Sequence, residues 1–290
     1  MTGLETVWVD VSEHALEPFE RAFSQACRTV GFFLTDERAR LWRVEGVKDA
    51  GASEATLTGA LALAALVTGE APELHRAPTE AGGWLARTQS SFPEQLIGRR
   101  FAIRGTHLKG PGAPGRIVLT LDAGVAFGSG EHGSTRGCIL ALERVAHRRL
   151  RRVLDLGCGS GILAMAAARL LHRRVLASDN DPWSVRVARA NAVLNGLQRQ
   201  VHTVVAHGWQ PAVRRRGPYD LVFGNILARP LCAMAAALHH NLAPGGTAIL
   251  AGLLDSQARM VLAAHRRTGL VLDSVIRDAG WTCLVLRRPA

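Results

Sequence analysis

The chain has 290 residues, 48% of them hydrophobic and 20% charged, which supports buried cores, suits two domains and excludes a disordered polymer. Its charge is unevenly spread: residues 1–95 carry 14 Asp and Glu against 8 Arg and Lys, whereas residues 96–290 carry 10 against 27. The longest apolar stretch, Leu57 to Thr68, is shorter than the ~20 residues a bilayer needs, and five scattered cysteines form no CxxC pair. No signal peptide, disulfide framework, metal site or membrane span is therefore expected, and the reading is a soluble cytoplasmic protein.

In chain order, Val7, Val9 and Val11 alternate with Trp8 and Asp10, a period-2 strand. Leu16, Phe19, Phe23, Ala26 and Val30 then follow helical spacing behind a Ser12 cap. Gly31 to Thr35 and Leu41 to Val47 read as two strands, and Leu57 to Val67 as a helix entered from Ser53. This order predicts a small α+β, ferredoxin-like domain over residues 1–75. Residues 76–118 are rich in Pro and Gly, as in the run from Lys109 to Gly115, and read as linker and connecting elements, with short pieces near Trp84 and Phe101.

Beyond a helix at about 134–147, strands alternate with helices. Strands are expected at 153–156, 175–178, 201–205, 221–223 and 247–250, with helices at about 161–171, 182–194, 229–241 and 254–265. Two closing strands, near 270–276 and 281–286, share the turn Asp278-Ala-Gly. Residues 119–290 are thus expected to form an α/β, Rossmann-like domain with a mostly parallel sheet and an antiparallel edge.

Four motifs carry chemistry. Val153-Leu-Asp155-Leu-Gly157-Cys-Gly159-Ser-Gly161 is a strand ending in an acid and a glycine turn, a shape that lets backbone approach a ligand closely. Its spacing is not the G-x-G-x-x-G of dinucleotide sites, and Asp155 suits a cationic ligand through electrostatic or water-mediated contact. Asp179 lies one strand-helix-strand unit later, where a carboxylate can accept ribose hydroxyls; Asp181-Pro182 reads as a helix start. Asn225, in Gly-Asn-Ile-Leu-Ala, ends a strand at the sheet edge where such folds bind ligands. The stretch Ala126-Phe127-Gly-Ser-Gly-Glu-His132-Gly-Ser-Thr135 is a glycine-rich loop able to fold over a ligand; His132 is read as a structural residue rather than a general base.

Together these segments resemble the ribosomal protein L-eleven methyltransferases, the PrmA family, most closely over residues 120–290. The resemblance implies a class I methyltransferase domain using S-adenosyl-L-methionine, with cofactor contacts at Thr135, Gly157, Asp179 and Asn225. Gly159, Asp155 and Phe127 are further candidates, and Asn225 is the residue expected to orient the acceptor amine. It also implies methylation of lysine ε-amines and the N-terminal α-amine of a large-subunit ribosomal protein, recognised by the acidic N-terminal domain. Ser134 and Asn180 depart from the family's usual residues without removing a cofactor contact. The basic half keeps ribosomal RNA in view as a further partner, and an RNA methyltransferase of the same fold or a non-catalytic cofactor-binding module as rivals.

Overall fold

Alternation along β1 (Leu4–Ser12) puts Val7, Val9 and Val11 on a buried face, where each strand side chain meets a core or its opposite. The computed structural model describes residues 3–27, 29–36, 39–78, 93–121 and 133–290. They fall into two units, Met1–Thr88 and Gln89–Ala290.

In the first unit β1 is followed by α1 (Leu16–Ala26), β2 (Thr29–Asp36), β3 (Leu41–Asp49), α2 (Glu54–Thr68) and β4 (His75–Pro78). The strands pair antiparallel in the order β2-β3-β1-β4, a ferredoxin-like arrangement. Helix α1 buries Leu16, Phe19, Ala22 and Phe23, the apolar positions of its 3.6-residue repeat. Three local expectations are corrected. Ser12 does not cap α1: its backbone N–H and hydroxyl both go to the Glu70 carboxylate. Val30 belongs to β2 rather than to α1. The fourth strand, β4, lies in a stretch that its prolines had marked as loop; Pro78 occupies its last position on an edge strand, where a missing N–H is tolerated. The fully buried Lys48 ammonium donates to Glu5 Oε1 at 2.6 Å, Glu54 Oε1 at 2.5 Å and the Ala52 carbonyl at 2.7 Å, partners that offset its desolvation.

The second unit opens with a small sheet, β5 (Gln95–Ile97), β6 (Phe101–Gly105) and β7 (Ile117–Leu121), in the stretch read as linker and connecting elements. Its Ile97, Phe101, Ile103 and Leu119 are fully buried in the core of this unit. Two side chains tie it down. The Glu143 carboxylate accepts the Arg99 and Arg100 N–H groups at 3.1 and 2.8 Å, and Asn195 brackets Thr120, accepting its N–H at 2.8 Å and donating to its carbonyl at 2.7 Å.

The main sheet follows as β8 (Val153–Leu156), β9 (Val175–Asp179), β10 (Val201–Val205), β11 (Tyr219–Asn225), β12 (Leu242–Leu254), β13 (Val271–Asp278) and β14 (Trp281–Arg287). Spatially the order is β10-β9-β8-β11-β12-β14-β13. The first five are parallel, and β14 inserts antiparallel between β12 and β13. One face is covered by α3 (Gly133–Val145), α4 (Ile162–Leu171) and α5 (Pro182–Leu194), the other by α6 (Pro211–Arg214), α7 (Ala228–Ala233), α8 (Ala235–Asn241) and α9 (Ala258–Arg266). The single helix expected over 229–241 is two, because the backbone at Met234 leaves helical geometry at φ −91°, ψ 3°. Strand residues alternate between two apolar clusters, as in β8, where Val153 joins one and Leu154 and Leu156 the other. No described helix is long and apolar enough to cross a membrane.

Candidate functional site

All strands of the parallel segment point their carboxyl ends to one edge, and the motif residues collect there because each one ends a strand or opens the next helix. After β8 the chain turns through Gly157, Gly159 and Gly161, all with positive φ (75°, 49° and 78°), a conformation that L side chains adopt only at a cost. The Gly157 and Cys158 N–H groups donate to the Ser178 carbonyl on β9 at 2.8 and 3.0 Å. A Cβ on Gly157 would overlap Ile226 Cγ2, and one on Gly161 would lie 2.9 Å from Ala188 Cβ. The turn is therefore packed from both sides as well as bent.

Asp179, at the end of β9, holds this turn. One carboxylate oxygen accepts the Gly159 N–H at 2.9 Å and the other accepts the Asp181 N–H at 3.1 Å. Asp181 in turn caps α5, accepting from the Trp183 and Ser184 N–H groups, with Pro182 at the first helical position, as read from the sequence. Asn225, the last residue of β11, donates through Nδ2 to Thr135 Oγ1 at 3.3 Å. That bond joins the β11 edge to the first turn of α3 and fixes the amide plane, leaving the amide oxygen as an acceptor.

Asp155 stands near the end of β8, just before the glycine turn. It is fully buried, and Oδ2 accepts the Ala164 N–H at 2.9 Å, which satisfies a free donor in the first turn of α4. Oδ1 is buried without a hydrogen-bond partner among the described residues. Burial is the main force pushing its carboxyl up to about 7, the nearby Asp179 adding to it and the Ala164 N–H opposing it. Through Ala164 the Asp155 carboxyl ties the end of β8 to the first turn of α4. The folded carboxyl holds its proton at pH values where the unfolded one has lost it, so the contribution of this group to stability declines as pH rises from 4 to 7 and levels off above, where both states are ionised. Asp155→Asn is expected to flatten this decline, about 1.4 kcal/mol per pH unit at its steepest; urea melts at pH 4.5, 6 and 8 measure it, and parallel curves for the two proteins would refute the assignment.

Phe127 and His132 lie in 122–132, outside the described residues, as does Trp84. Three residues of the site carry no motif. Asn191 is buried on α5 and donates to the Ser160 carbonyl at 2.9 Å, pinning the turn from the helix side; a polar residue between Ala188 and Ala192 on an apolar helix face is its sequence signal. Ser178 accepts the Gly157 and Cys158 N–H groups with its carbonyl and donates its hydroxyl to the Asp155 carbonyl at 3.5 Å. Gly252 has φ 78°, and a Cβ there would sit 2.5 Å from the Ile226 carbonyl, so β12 can pass directly beside the Asn225–Leu227 loop.

A parallel sheet in this order, with an antiparallel strand inserted near one edge, a glycine turn after its central strand and an acid ending the next, defines a class I methyltransferase. A profile of the family described as ribosomal protein L11 methyltransferase (PrmA) matches residues 32–289. The ribosomal protein L11 methyltransferase of Bradyrhizobium diazoefficiens is 46% identical over 211 residues, 72% of this chain and 71% of the relative. That of a Caulobacter species is 39% identical over 263 residues, covering 90% and 88%. The crystal structure of a ribosomal protein L11 methylase from Lactobacillus delbrueckii subsp. bulgaricus superimposes with a TM-score of 0.61 at 30% identity, covering 68% of this chain and 99% of that one. The chain belongs to the ribosomal protein L11 methyltransferase family.

S-adenosyl-L-methionine is the cofactor of this class. The donor set fits it: the edge offers carboxylates and amide groups, suited to ribose hydroxyls and to a ligand bearing ammonium and sulfonium charge. The cradle at Gly157 is kept open by the absence of a Cβ.

Proposed function

We propose that the chain transfers methyl groups from S-adenosyl-L-methionine to lysine ε-amines and the N-terminal α-amine of ribosomal protein L11 in the cytoplasm. The observation that carries this reading is the Asn225–Thr135 hydrogen bond, which sets an amide beside the glycine turn in a chain of this family. Thr135, Gly157, Gly159 and Asp179 would hold the cofactor. Bound there, it supplies an electrophilic methyl group on a sulfonium.

The chain's own work is to place the acceptor nitrogen and free its lone pair. A lysine ammonium has a reference pKa of ~10.4, and desolvation disfavours the charged form. Ile226, packed into the apolar cluster under β11, and Leu227, exposed at the edge, form an apolar approach that favours loss of the proton to water. The Asn225 amide oxygen then accepts an N–H of the neutral amine and aims the lone pair, a positioning effect of the kind that supplies much of the rate in bimolecular transfers.

Asn225→Ala is expected to reduce kcat at least 100-fold, with a smaller change in donor affinity. Label transfer from radiolabelled donor to purified ribosomal protein L11, beside calorimetric binding of the donor, separates the two. Wild-type kcat in the variant would remove Asn225 from the reaction. Donor binding by the wild type without transfer to any ribosomal protein would favour a non-catalytic module instead.

A further inference from the structure

The sheet has a second edge, where the parallel strands begin, and arginines collect there. Strand β8 is entered from Arg151 and Arg152, β9 from Arg173 and Arg174, β10 from Arg199, and β11 from the run 214–216, all exposed. Between them lies a cavity of about 670 Å³ whose walls include Arg151, Arg174, Arg199 and Arg216. A second cavity of about 520 Å³ shares Arg151 and adds Arg149; a third, of about 400 Å³, shares Arg149 and reaches Arg287 on β14. The trough crosses the strand ends from β10 to β14, five intervals of ~4.8 Å or roughly 24 Å.

The acids at this edge are already engaged. Asp220 accepts the Arg151 and Arg152 backbone N–H groups at 2.9 and 2.8 Å, and Asp273 pairs with Arg148 at 2.9 Å. Among the described residues, Arg149, Arg151, Arg174, Arg199, Arg216 and Arg287 have no carboxylate partner. At the opposite edge the balance is reversed. Asp155, Asp179 and Asp181 gather there, and Arg136 and Arg277 are paired with Asp278 and Asp255 at 2.7 and 3.7 Å. An arginine-rich composition alone would load both edges alike. Cations near helix C-termini are stabilising, which accounts for Arg173 and Arg174 just after α4. It does not account for Arg151, Arg199 or Arg287, none of which lies in the last turn of a helix.

We propose that this trough binds the phosphate backbone of RNA. A length of roughly 24 Å spans several successive phosphates of one strand, whereas a single phosphorylated group would occupy only one of the three cavities. The concave shape accepts a strand or the shoulder of a duplex and does not match a lipid surface. Tyr219, in the cavity wall, is buried, with its hydroxyl donated to the Val213 carbonyl at 2.6 Å, so it offers no face for base stacking. Binding is therefore to backbone and independent of sequence, and it leaves the carboxyl edge open to the methyl acceptor.

The test is fluorescence anisotropy of the full chain with a labelled 20-base-pair RNA duplex of mixed sequence, titrated in KCl from 50 to 300 mM. A slope of log K against log[KCl] of about −4 or steeper is expected, since each neutralised phosphate contributes roughly −0.9. The triple variant R174Q/R199Q/R216Q should weaken binding at least tenfold at 100 mM KCl and flatten the slope by about 2.5. R186Q/R189Q/R259Q, which removes equal charge from exposed positions on α5 and α9, should stay within twofold of wild type. Methyl transfer to isolated ribosomal protein L11, read on the same preparations, tests the proposed activity separately and should survive in both variants. Equal weakening by the two triples, no RNA binding at 50 mM KCl, or binding to phosphatidylserine vesicles but not to RNA would each overturn the proposal.

Discussion

Gly157→Ala is expected to weaken S-adenosyl-L-methionine binding by about 100-fold and to reduce methyl transfer at least as much. Two separate costs produce this. A φ of 75° costs an L residue roughly 1–2 kcal/mol. The new methyl group also overlaps Ile226 Cγ2, and overpacking of this kind costs about 1–3 kcal/mol. Ile226 follows Asn225 directly in the loop, and its backbone lies against Gly252. Movement of Ile226 would therefore disturb the Asn225 loop. Calorimetric titration with the donor, with circular dichroism to confirm folding, measures the effect. Undiminished affinity in a folded variant would mean that the turn has room the packing does not reveal.

Asp179→Ala should be still more damaging, lowering donor affinity by about 100- to 1000-fold. The carboxylate accepts two backbone N–H groups, from Gly159 and Asp181, and charge-assisted bonds are worth about 1.5–3 kcal/mol each. Removing it releases the glycine turn and the entry to α5 together. Binding of adenosine and 2′,3′-dideoxyadenosine separates this anchoring from ribose recognition. Wild type should prefer adenosine, and Asp179→Ala should bind the two alike. If the variant keeps the preference, Asp179 serves the turn only.

The parts of this chain that could be read in advance were those written in local chemistry. Strand-helix alternation from Val153 onward, the Asp181-Pro182 helix start and the antiparallel closing pair all follow from period and capping residues within a few positions of each other. What escaped was settled by distant partners. Ser12 looks like a cap until Glu70, 58 residues away, takes its hydroxyl. A short element was legible at Phe101, where β6 stands, but β5 and β7 lie among glycines and prolines and are held by burial in the core of the second unit; Asn195, 75 residues from Thr120, secures the last of them. Asp155 could be placed at the end of its strand, yet alternation alone does not say whether the inward side meets a ligand or the N–H of Ala164. The Asn225–Thr135 bond spans 90 residues; each partner was legible by its motif, and their meeting required the sheet.

The strand order also governs how the sheet can be made. β14 is last of the seven in chain order, yet it lies between β12 and β13 and supplies hydrogen bonds to both. While the chain is being synthesised, β8 to β12 can assemble as each emerges, but β12 keeps an open edge and β13 has no neighbour. That edge carries Ile249 and Leu250, both buried in the finished sheet, and unpaired apolar edges invite association with other chains. In the finished sheet β14 pairs with both β12 and β13 and closes that edge. Nascent chains stalled before Trp281 should therefore be the aggregation-prone species of this protein, and the hairpin turn at Asp278–Gly280 the element that sets how long that exposure lasts.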